Sequence, residues 1–189
     1  MRIAMVFALL LLSGCASAPE NTANSCAIFA QQSGFLTNWR SDAEQASAEF
    51  GVPVPILMAT IQAESNFEAR ARPPRTKLLG IIPWKRQSTA YGYAQVLDGT
   101  WEEYQRKTGR SSARRNNFAD AIHFIGWYHN ENHRRNGIAL NDAHNLYLAY
   151  YSGPSGFARG SWKSDPTASR GARRAAEMAA RYETQLRRC

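Results

Sequence analysis

Residues 55–64 read Pro-Ile-Leu-Met-Ala-Thr-Ile-Gln-Ala-Glu, an almost wholly apolar segment that ends in a carboxylic acid. Proline is well placed in the first turn of a helix, where its missing N–H would have no partner, so Pro53 and Pro55 predict that a helix begins here. Glutamate is seldom buried unless it is paired or functional. The segment therefore predicts a helix whose last turn carries Glu64 in apolar surroundings.

Glu64 is the first candidate for chemistry. A carboxyl lodged among apolar groups has its charged form disfavoured, so its pKa rises toward the range that suits a general acid. The alternative is a solvated glutamate at a helix end, which is the commoner state of such a side chain. The ten residues around it do not decide between these two readings.

Helical periodicity continues on both sides of this segment. The first helix, Trp39 to Phe50, has Ser41 or Asp42 as possible caps and Gly51 as its stop. Further helices are predicted for Asp98 to Lys107, with Asp98 as N-cap, and for Asn117 to Arg135, Asp142 to Tyr151 and Pro166 to Arg188. No sustained alternation of the kind that strands need is visible, so the chain is predicted to be all-α.

The segment 69–90 interrupts the helical pattern with prolines, glycine and six basic residues. The basic residues are Arg70, Arg72, Arg75, Lys77, Lys85 and Arg86. This composition predicts a long loop or a small hairpin.

Residues 1–14 combine a basic start, an apolar run from Ile3 to Leu12 and small residues before Cys15. The run is shorter than the roughly 20 residues that a membrane-spanning helix needs, so it is predicted to be a leader and no part of the fold. Leu12-Ser13-Gly14-Cys15 resembles the bacterial lipobox, which implies lipidation of Cys15. An ordinary secretory leader with an incidental cysteine is the alternative. Residues 15–25 are small and polar, which predicts a flexible tether before a single domain at 26–189.

The two remaining cysteines, Cys26 and Cys189, lie near the two ends of that domain. Because exported chains keep disulfides, a Cys26–Cys189 bridge is predicted, with two free thiols as the alternative. The chain carries 23 basic and 15 acidic residues, a net charge of +8. Such a surface suits an anionic partner, whether nucleic acid, lipid headgroups or bacterial cell wall. The exported compartment argues against nucleic acid.

Three separated segments carry a further signal: Glu64-Ser65-Asn66-Phe67, Gly92-Tyr93-Ala94-Gln95, and residues 148–154, which read Leu-Ala-Tyr-Tyr-Ser-Gly-Pro. In this order they resemble the glutamate–serine, Gly-Leu-Met-Gln and Ala-Tyr-Asn-Ala-Gly-Pro motifs of the soluble lytic transglycosylase (SLT) family. The resemblance spans roughly Trp39 to Phe157. It implies a goose-type lysozyme-like, all-α single domain with the basic segment as an insertion.

The resemblance implies an enzyme that cleaves the bond between N-acetylmuramic acid and N-acetylglucosamine in peptidoglycan without water, leaving anhydro-muramoyl ends. Glu64 would protonate the leaving oxygen and then take the proton of the muramoyl primary hydroxyl. Ser65 would hydrogen-bond near this carboxyl, and Tyr150 would place its hydroxyl on it. Gln95 and the backbone around Tyr93 would hold the acetamido sugars. No cofactor and no second carboxylate is implied.

Two features depart from the family pattern. Tyr151 stands where the family usually has asparagine, so either the glycan stacks there or the groove is reshaped. The basic segment 69–90 is longer than the expected link between the first two motifs, and it forms either a lid over the glycan or a docking surface for a partner. Trp84 within it is either a sugar-stacking platform or a residue packed on the domain.

The predicted location is the bacterial cell envelope, with the protein lipid-anchored in the outer membrane and facing the periplasm. The predicted partners are peptidoglycan strands, the membrane through Cys15, and envelope machinery. The expected state is a monomer.

Two other functions stay open at this point. One is a hydrolytic muramidase of the same fold, in which Asp98, Glu102 or Asp120 activates water. The other is a glycan-binding module without turnover.

No metal site is predicted. His129-Asn130-Glu131-Asn132-His133 lacks the glutamate that the zinc-protease pattern places directly after the first histidine. An exposed helix face is the expected explanation for this pair of histidines.

Overall fold

The computed structural model describes residues 18–33, 37–78 and 82–189. The side chains of residues 77, 78 and 82–84 are not described, so the predictions for Trp84 fall outside the described part. The predicted leader 1–14, the predicted lipidation site Cys15 and the start of the predicted tether also lie outside it. Within the described residues, no helix is both long enough and apolar enough to cross a membrane.

The described residues fold mainly into helices. These are α1 Ser25–Phe29, α2 Trp39–Phe50, α3 Val54–Ser65, α4 Asp98–Thr108, α5 Phe118–Asn136, α6 Ala143–Ser152, α7 Pro154–Ala158 and α8 Pro166–Leu186, with a short 3-10 helix at Ser161–Ser164. Strands β1 Arg75–Leu78 and β2 Ile82–Arg86 pair antiparallel between α3 and α4. The all-α prediction is confirmed, and the basic segment forms a small hairpin.

Two predicted helix caps are wrong. The N-cap of α2 is Asn38, whose side chain accepts the Ser41 N–H at 2.9 Å, while the Ser41 hydroxyl accepts the Asn38 N–H at 3.2 Å. Ser41 is thus the third helical residue of a capping box and not the cap itself. Helix α4 has Leu97 at its N-cap, and Asp98 lies inside the first turn, where its carboxylate pairs with Arg115 at 2.7 Å.

Helix α3 lies at the centre of the core, between α2, α5 and α8. Its residues Leu57, Met58 and Ile61 are fully buried, and each such side chain contributes about 1.5–3 kcal/mol to folding. Beside it, the Trp39 ring stacks on Phe118 with centroids 4.0 Å apart. This packing fixes the helix and with it the position of its last turn.

The two ends of the domain meet at α1 and α8. A disulfide joins Cys26 to Cys189, with the two Cα atoms 5.9 Å apart, which confirms the predicted bridge. The Ser25 N–H donates to Gln185 Oε1 at 2.8 Å, and the Tyr182 hydroxyl donates to the Thr22 carbonyl. The tether prediction is therefore wrong for its last residues, because from Thr22 onward the chain packs on α8.

Candidate active site

Glu64 lies in the last turn of α3, immediately before a sharp change of chain direction. Asn66 ends the helix in the left-handed conformation at φ 51°, and Phe67 follows with φ 63°. Asparagine tolerates this conformation, but it is costly for phenylalanine. Burial of the Phe67 ring, 5.8 Å from that of Trp39, compensates for the cost. The buried helix before Glu64 and the buried Phe67 ring after it thus fix the position of Glu64.

The Glu64 side chain lines a groove with a volume of about 380 Å³. The other lining residues are neutral, and many of them are aromatic or aliphatic: Gln95, Val96, Leu97, Thr100, Phe124, Tyr128, Tyr150, Tyr151, Ser152 and Gly153. Among these residues Glu64 provides the one carboxyl. The groove therefore offers a single proton-transferring acid in uncharged, amphipathic surroundings.

Burial raises the pKa of Glu64 to about 7, and a hydrogen bond from the Tyr147 hydroxyl acts in the opposite direction. Loss of water disfavours the carboxylate, whereas a donor stabilises it. A group with this pKa is present in both protonation states near neutral pH. It can therefore donate a proton in one step and accept one in the next.

The tyrosine that contacts Glu64 is Tyr147, one turn before the residue expected from the sequence. The Tyr150 hydroxyl donates to the Ala94 carbonyl at 2.5 Å, so the predicted bond to Glu64 is wrong. Tyr147 and Tyr150 lie three residues apart on one face of α6, with rings 6.5 Å apart. Tyr150 still lines the groove, where it fixes the turn that carries Ala94.

Gln95 shapes the opposite wall of the groove through an unusual turn. It has φ 46°, and its side-chain amide donates to the carbonyls of Ala71 at 2.9 Å and Gly92 at 2.8 Å. Both amide hydrogens are thereby used. The amide oxygen is left as the acceptor of this side chain, and the role of Gln95 in holding acetamido sugars stays a prediction.

Two predicted binding residues lie away from the groove surface. The Ser65 hydroxyl donates to the Ile61 carbonyl at 3.3 Å, one turn back in its own helix, and not to Glu64. Tyr93 is 1% exposed, with its ring packed edge-on against Trp39 and Phe118. Its N–H donates to the Arg115 carbonyl at 3.1 Å and so is not free for a sugar. Both side chains support the site without lining it.

Tyr151 and Leu97 form apolar edges of the groove. They are 47% and 48% exposed, and they are the large exposed hydrophobic side chains of the described residues. The Tyr151 hydroxyl donates to Asp165 Oδ2 at 3.1 Å, which holds the ring in place. Tyr151 was predicted from its motif. Leu97, Thr100, Phe124 and Tyr128 were not predicted, because no local pattern marks a helix residue as facing a groove.

The alternative acids lie elsewhere. Asp98 pairs with Arg115, and Asp120 lies 3.4 Å from the Arg110 guanidinium and accepts the Arg114 N–H at 2.9 Å. Glu102 lines a separate surface depression together with Asp98. None of these three acids is among the residues that line the groove with Glu64.

His129 is fully buried, so the expected exposed helix face does not explain it. The Thr60 hydroxyl donates to the Ile56 carbonyl and so accepts from His129 Nε2, at 2.9 Å in each case. Burial lowers the pKa of His129 to about 3 and keeps the ring neutral. His133 instead bonds the Ile138 carbonyl through Nδ1 at 2.7 Å. In the described part of the chain, no group of three or more His, Cys, Asp or Glu side chains is arranged to hold a metal.

The helical fold, with one carboxyl among the residues that line its groove, defines a lysozyme-like protein. The fold is similar to the X-ray structure of an inactive mutant of the lytic transglycosylase Slt from Pseudomonas aeruginosa, with a TM-score of 0.55 and 16% sequence identity. The match covers 78% of this chain but 24% of the Slt chain, so this chain spans about a quarter of that protein's length.

Sequence comparison gives the family directly. The profile described as "Transglycosylase SLT domain" matches residues 3–189, and the chain belongs to this family. No curated protein matches the chain.

Proposed function

We propose that this protein is a peptidoglycan lytic transglycosylase that cleaves between N-acetylmuramic acid and N-acetylglucosamine and leaves anhydro-muramoyl ends. One observation carries the proposal: Glu64 is the one carboxyl among the residues lining a neutral groove, and burial raises its pKa to about 7. Membership of the transglycosylase SLT family supports the same reaction.

The reaction uses Glu64 twice. In the first step the protonated carboxyl donates its proton to the glycosidic oxygen, and the bond from that oxygen to the anomeric carbon of the muramoyl sugar breaks. The acetamido group of the same sugar stabilises the positive charge on this carbon. In the second step the Glu64 carboxylate takes the proton of the muramoyl primary hydroxyl as its oxygen bonds to the anomeric carbon. No water is consumed, and Glu64 ends protonated as it began.

The absence of a second acid from the described groove lining favours this route over hydrolysis. Hydrolytic glycosidases place two carboxyls about 5–9.5 Å apart across the sugar, one to donate a proton and one to act on water or carbon. Asp98 and Asp120 are engaged by arginines outside the groove. An internal hydroxyl nucleophile needs no such partner.

The walls of the groove suit an uncharged, amphipathic polymer. Sugar rings present apolar faces that pack on aromatic side chains, and Tyr151 and Tyr128 offer such faces. The amide oxygen of Gln95 fits the N–H of an acetamido substituent. These features support a chain of N-acetylated sugars as the ligand.

We also propose that the protein is anchored through a lipid on Cys15 in the bacterial outer membrane, facing the periplasm, and acts there as a monomer. The support is the Leu12-Ser13-Gly14-Cys15 sequence after an apolar run. Mass spectrometry of the N-terminal peptide from cells tests this. A diacylglyceryl group on Cys15 is expected, and an unmodified cysteine would contradict it.

The reaction is tested by incubating purified peptidoglycan with residues 16–189 and, in parallel, with the Glu64→Gln variant. Glutamine keeps the shape of the side chain but removes the transferable proton. Anhydro-muramoyl products from the wild type alone, identified by mass, are the expected result. Reducing muramoyl ends would instead indicate the muramidase, and no products from either protein would indicate a binding module.

A further inference from the structure

A second cavity, with a volume of about 310 Å³, shares Tyr151 with the candidate active-site groove. Three helices line it: Gln62 from α3, Tyr147 and Tyr151 from α6, and Thr167, Gly171 and Arg174 from α8. Its volume is at the lower end of the range for small-ligand sites. The cavity and the groove have Tyr151 in common, so they are neighbours on the surface.

The second cavity is also close to the reacting carboxyl. Tyr147 lines the cavity with its ring, and its hydroxyl hydrogen-bonds Glu64. The ring passes close to α8 at Gly171, where an added Cβ would lie 2.9 Å from Tyr147 Cε1. Because residue 171 is a glycine, the Tyr147 ring has enough space between α8 and the end of α3.

The cavity differs from the groove in charge. Arg174 is exposed at its edge, and among the described residues no acidic side chain lies within ion-pair distance of it. The nearby acid Asp165 does not pair with Arg174. Its carboxylate accepts the Thr167 N–H at 2.8 Å and the Tyr151 hydroxyl at 3.1 Å. A guanidinium presents a planar pair of N–H donors that matches a carboxylate. The cavity is therefore suited to an anionic group and the groove to neutral sugars.

We propose that the second cavity binds a carboxylate carried by the muramoyl sugar, with Arg174 as its principal ligand. The inference rests on the proposed function, because it takes a peptidoglycan strand as the substrate. In such a strand the sugar rings are neutral, and the carboxylates belong to the stem peptide or, on a muramoyl sugar without a peptide, to the lactyl group. With the sugars in the groove, a branch past Tyr151 reaches Arg174. The cavity would thus distinguish peptidoglycan from other N-acetylated glycans.

The experiment measures binding and not turnover, so that the glycan is not consumed. The Glu64→Gln protein is titrated with soluble peptidoglycan oligomers that bear stem peptides, and the Arg174→Ala change is then added to it. Loss of the guanidinium is expected to weaken binding about twofold to fivefold, which is typical of an exposed charge pair. Arg173→Ala is the matched control, since Arg173 is an exposed neighbour on α8 that does not line the cavity.

Two further ligands identify the carboxylate. An amidase hydrolyses the amide bond between the lactyl group and the peptide, so treated oligomers lose the peptide and gain a free lactyl carboxylate. N-acetylglucosamine oligomers carry no carboxylate. A loss confined to stem-bearing oligomers assigns the stem peptide, and a loss confined to amidase-treated oligomers assigns the lactyl group. A loss on both but not on N-acetylglucosamine oligomers shows that the cavity accepts either carboxylate.

An equal loss on all three ligands, no loss on any, or no detectable binding would each overturn the inference. If Arg174→Ala weakens binding selectively while the wild type releases no anhydro products, the proposed reaction fails and the carboxylate site stands.

Discussion

At the scale of single residues, Glu64 couples folding to pH. Burial raises its pKa from 4.5 to about 7 in the folded chain, so the folded state holds the proton more tightly than the unfolded state does. The stability that goes with this proton is fully present below pH 4.5 and is lost as the pH rises through about 7. Above that pH the fold must contain a desolvated carboxylate.

Glu64→Gln should therefore stabilise the protein at pH 8 by up to about 3 kcal/mol and have little effect at pH 4. Glutamine has the shape of the protonated acid but never acquires its charge. Urea unfolding of both proteins at the two pH values measures the difference. Glu68→Gln, at an exposed position one turn further on, is the control and should change little. A stabilisation of the same size at both pH values would contradict this explanation.

The hydroxyls of Tyr147 and Tyr150 donate to different acceptors: Tyr147 to the Glu64 carboxyl and Tyr150 to the Ala94 carbonyl. The Tyr147 hydroxyl lowers the pKa of Glu64, so Tyr147→Phe should raise that pKa further. The alkaline limb of the activity profile would then move to higher pH. The rate at its maximum should fall about threefold to tenfold, which is the value of one hydrogen bond.

Tyr150→Phe is the matched comparison for this test. The Tyr150 hydroxyl donates to the Ala94 carbonyl, so its loss should disturb the groove wall and lower kcat/KM. The pH profile should not move, because this hydroxyl does not donate to Glu64. Both profiles are measured on one soluble peptidoglycan oligomer. If Tyr150→Phe moves the alkaline limb and Tyr147→Phe does not, the assignment of the two hydroxyls is reversed.

At the scale of elements, the turn that carries Gln95 depends on a glycine. Gly92 has φ 78°, and an added Cβ would lie 2.1 Å from the Arg115 carbonyl oxygen. Gly92→Ala should therefore destabilise the protein by about 2–4 kcal/mol, through the strained backbone and the forced shift of the segment at Arg115. Urea unfolding measures this.

Gly99→Ala is the control for that substitution. Gly99 lies in α4 with no atom within 4 Å of an added Cβ, so alanine there should stabilise by about 0.5–1 kcal/mol. Equal effects of the two substitutions would show that the turn is not constrained as described.

The elements also show which features a sequence can predict. The bounds of α2 follow from Trp39 and Phe50 at helical spacing and from Gly51, and these signals are local. The disulfide was predictable because two cysteines remained at the ends of the domain. Glu64 was a candidate because an acid is conspicuous at the end of an apolar helix, but only the three ordered motifs favoured it over a solvated glutamate.

Other parts of the site depend on long-range packing. The sequence places Tyr147 and Tyr150 on one face of α6, but only the position of the 92–95 turn decides which hydroxyl reaches Glu64. The sequence predicts that His129 lies on an exposed helix face. It is buried instead, and its Nε2 hydrogen-bonds the hydroxyl of Thr60, 69 positions earlier. The sequence could not place Arg174 beside Tyr147 and Tyr151, since α8 follows the last motif and packs back on α3.

At the scale of the whole molecule, the fold closes on itself where α8 meets α1. The Cys26–Cys189 bridge spans 163 positions, and it encloses α2 to α8. Gln185 adds two hydrogen bonds at the same place, from the Ser25 N–H and to the Ala23 carbonyl at 3.0 Å. These bonds keep the two ends together in the native state whether or not the sulfurs are joined.

The bridge should therefore act mainly on the unfolded chain. Replacing both cysteines, Cys26→Ser with Cys189→Ser, should lower the free energy of unfolding by about 2–5 kcal/mol, because a long closed loop is released in the unfolded state. Cleavage of peptidoglycan at low temperature should persist, since neither cysteine lies near Glu64 in the groove lining.

Urea unfolding with and without a reductant separates this effect from damage to the native structure. Reduction should bring the wild type down to the value of the double variant and leave the variant unchanged. If mass analysis shows that the reductant has freed both thiols and the wild-type stability does not fall, then closing the loop does not limit the conformations of the unfolded chain. The bridge would then add no restriction of its own, and the entropic argument would be wrong for this fold.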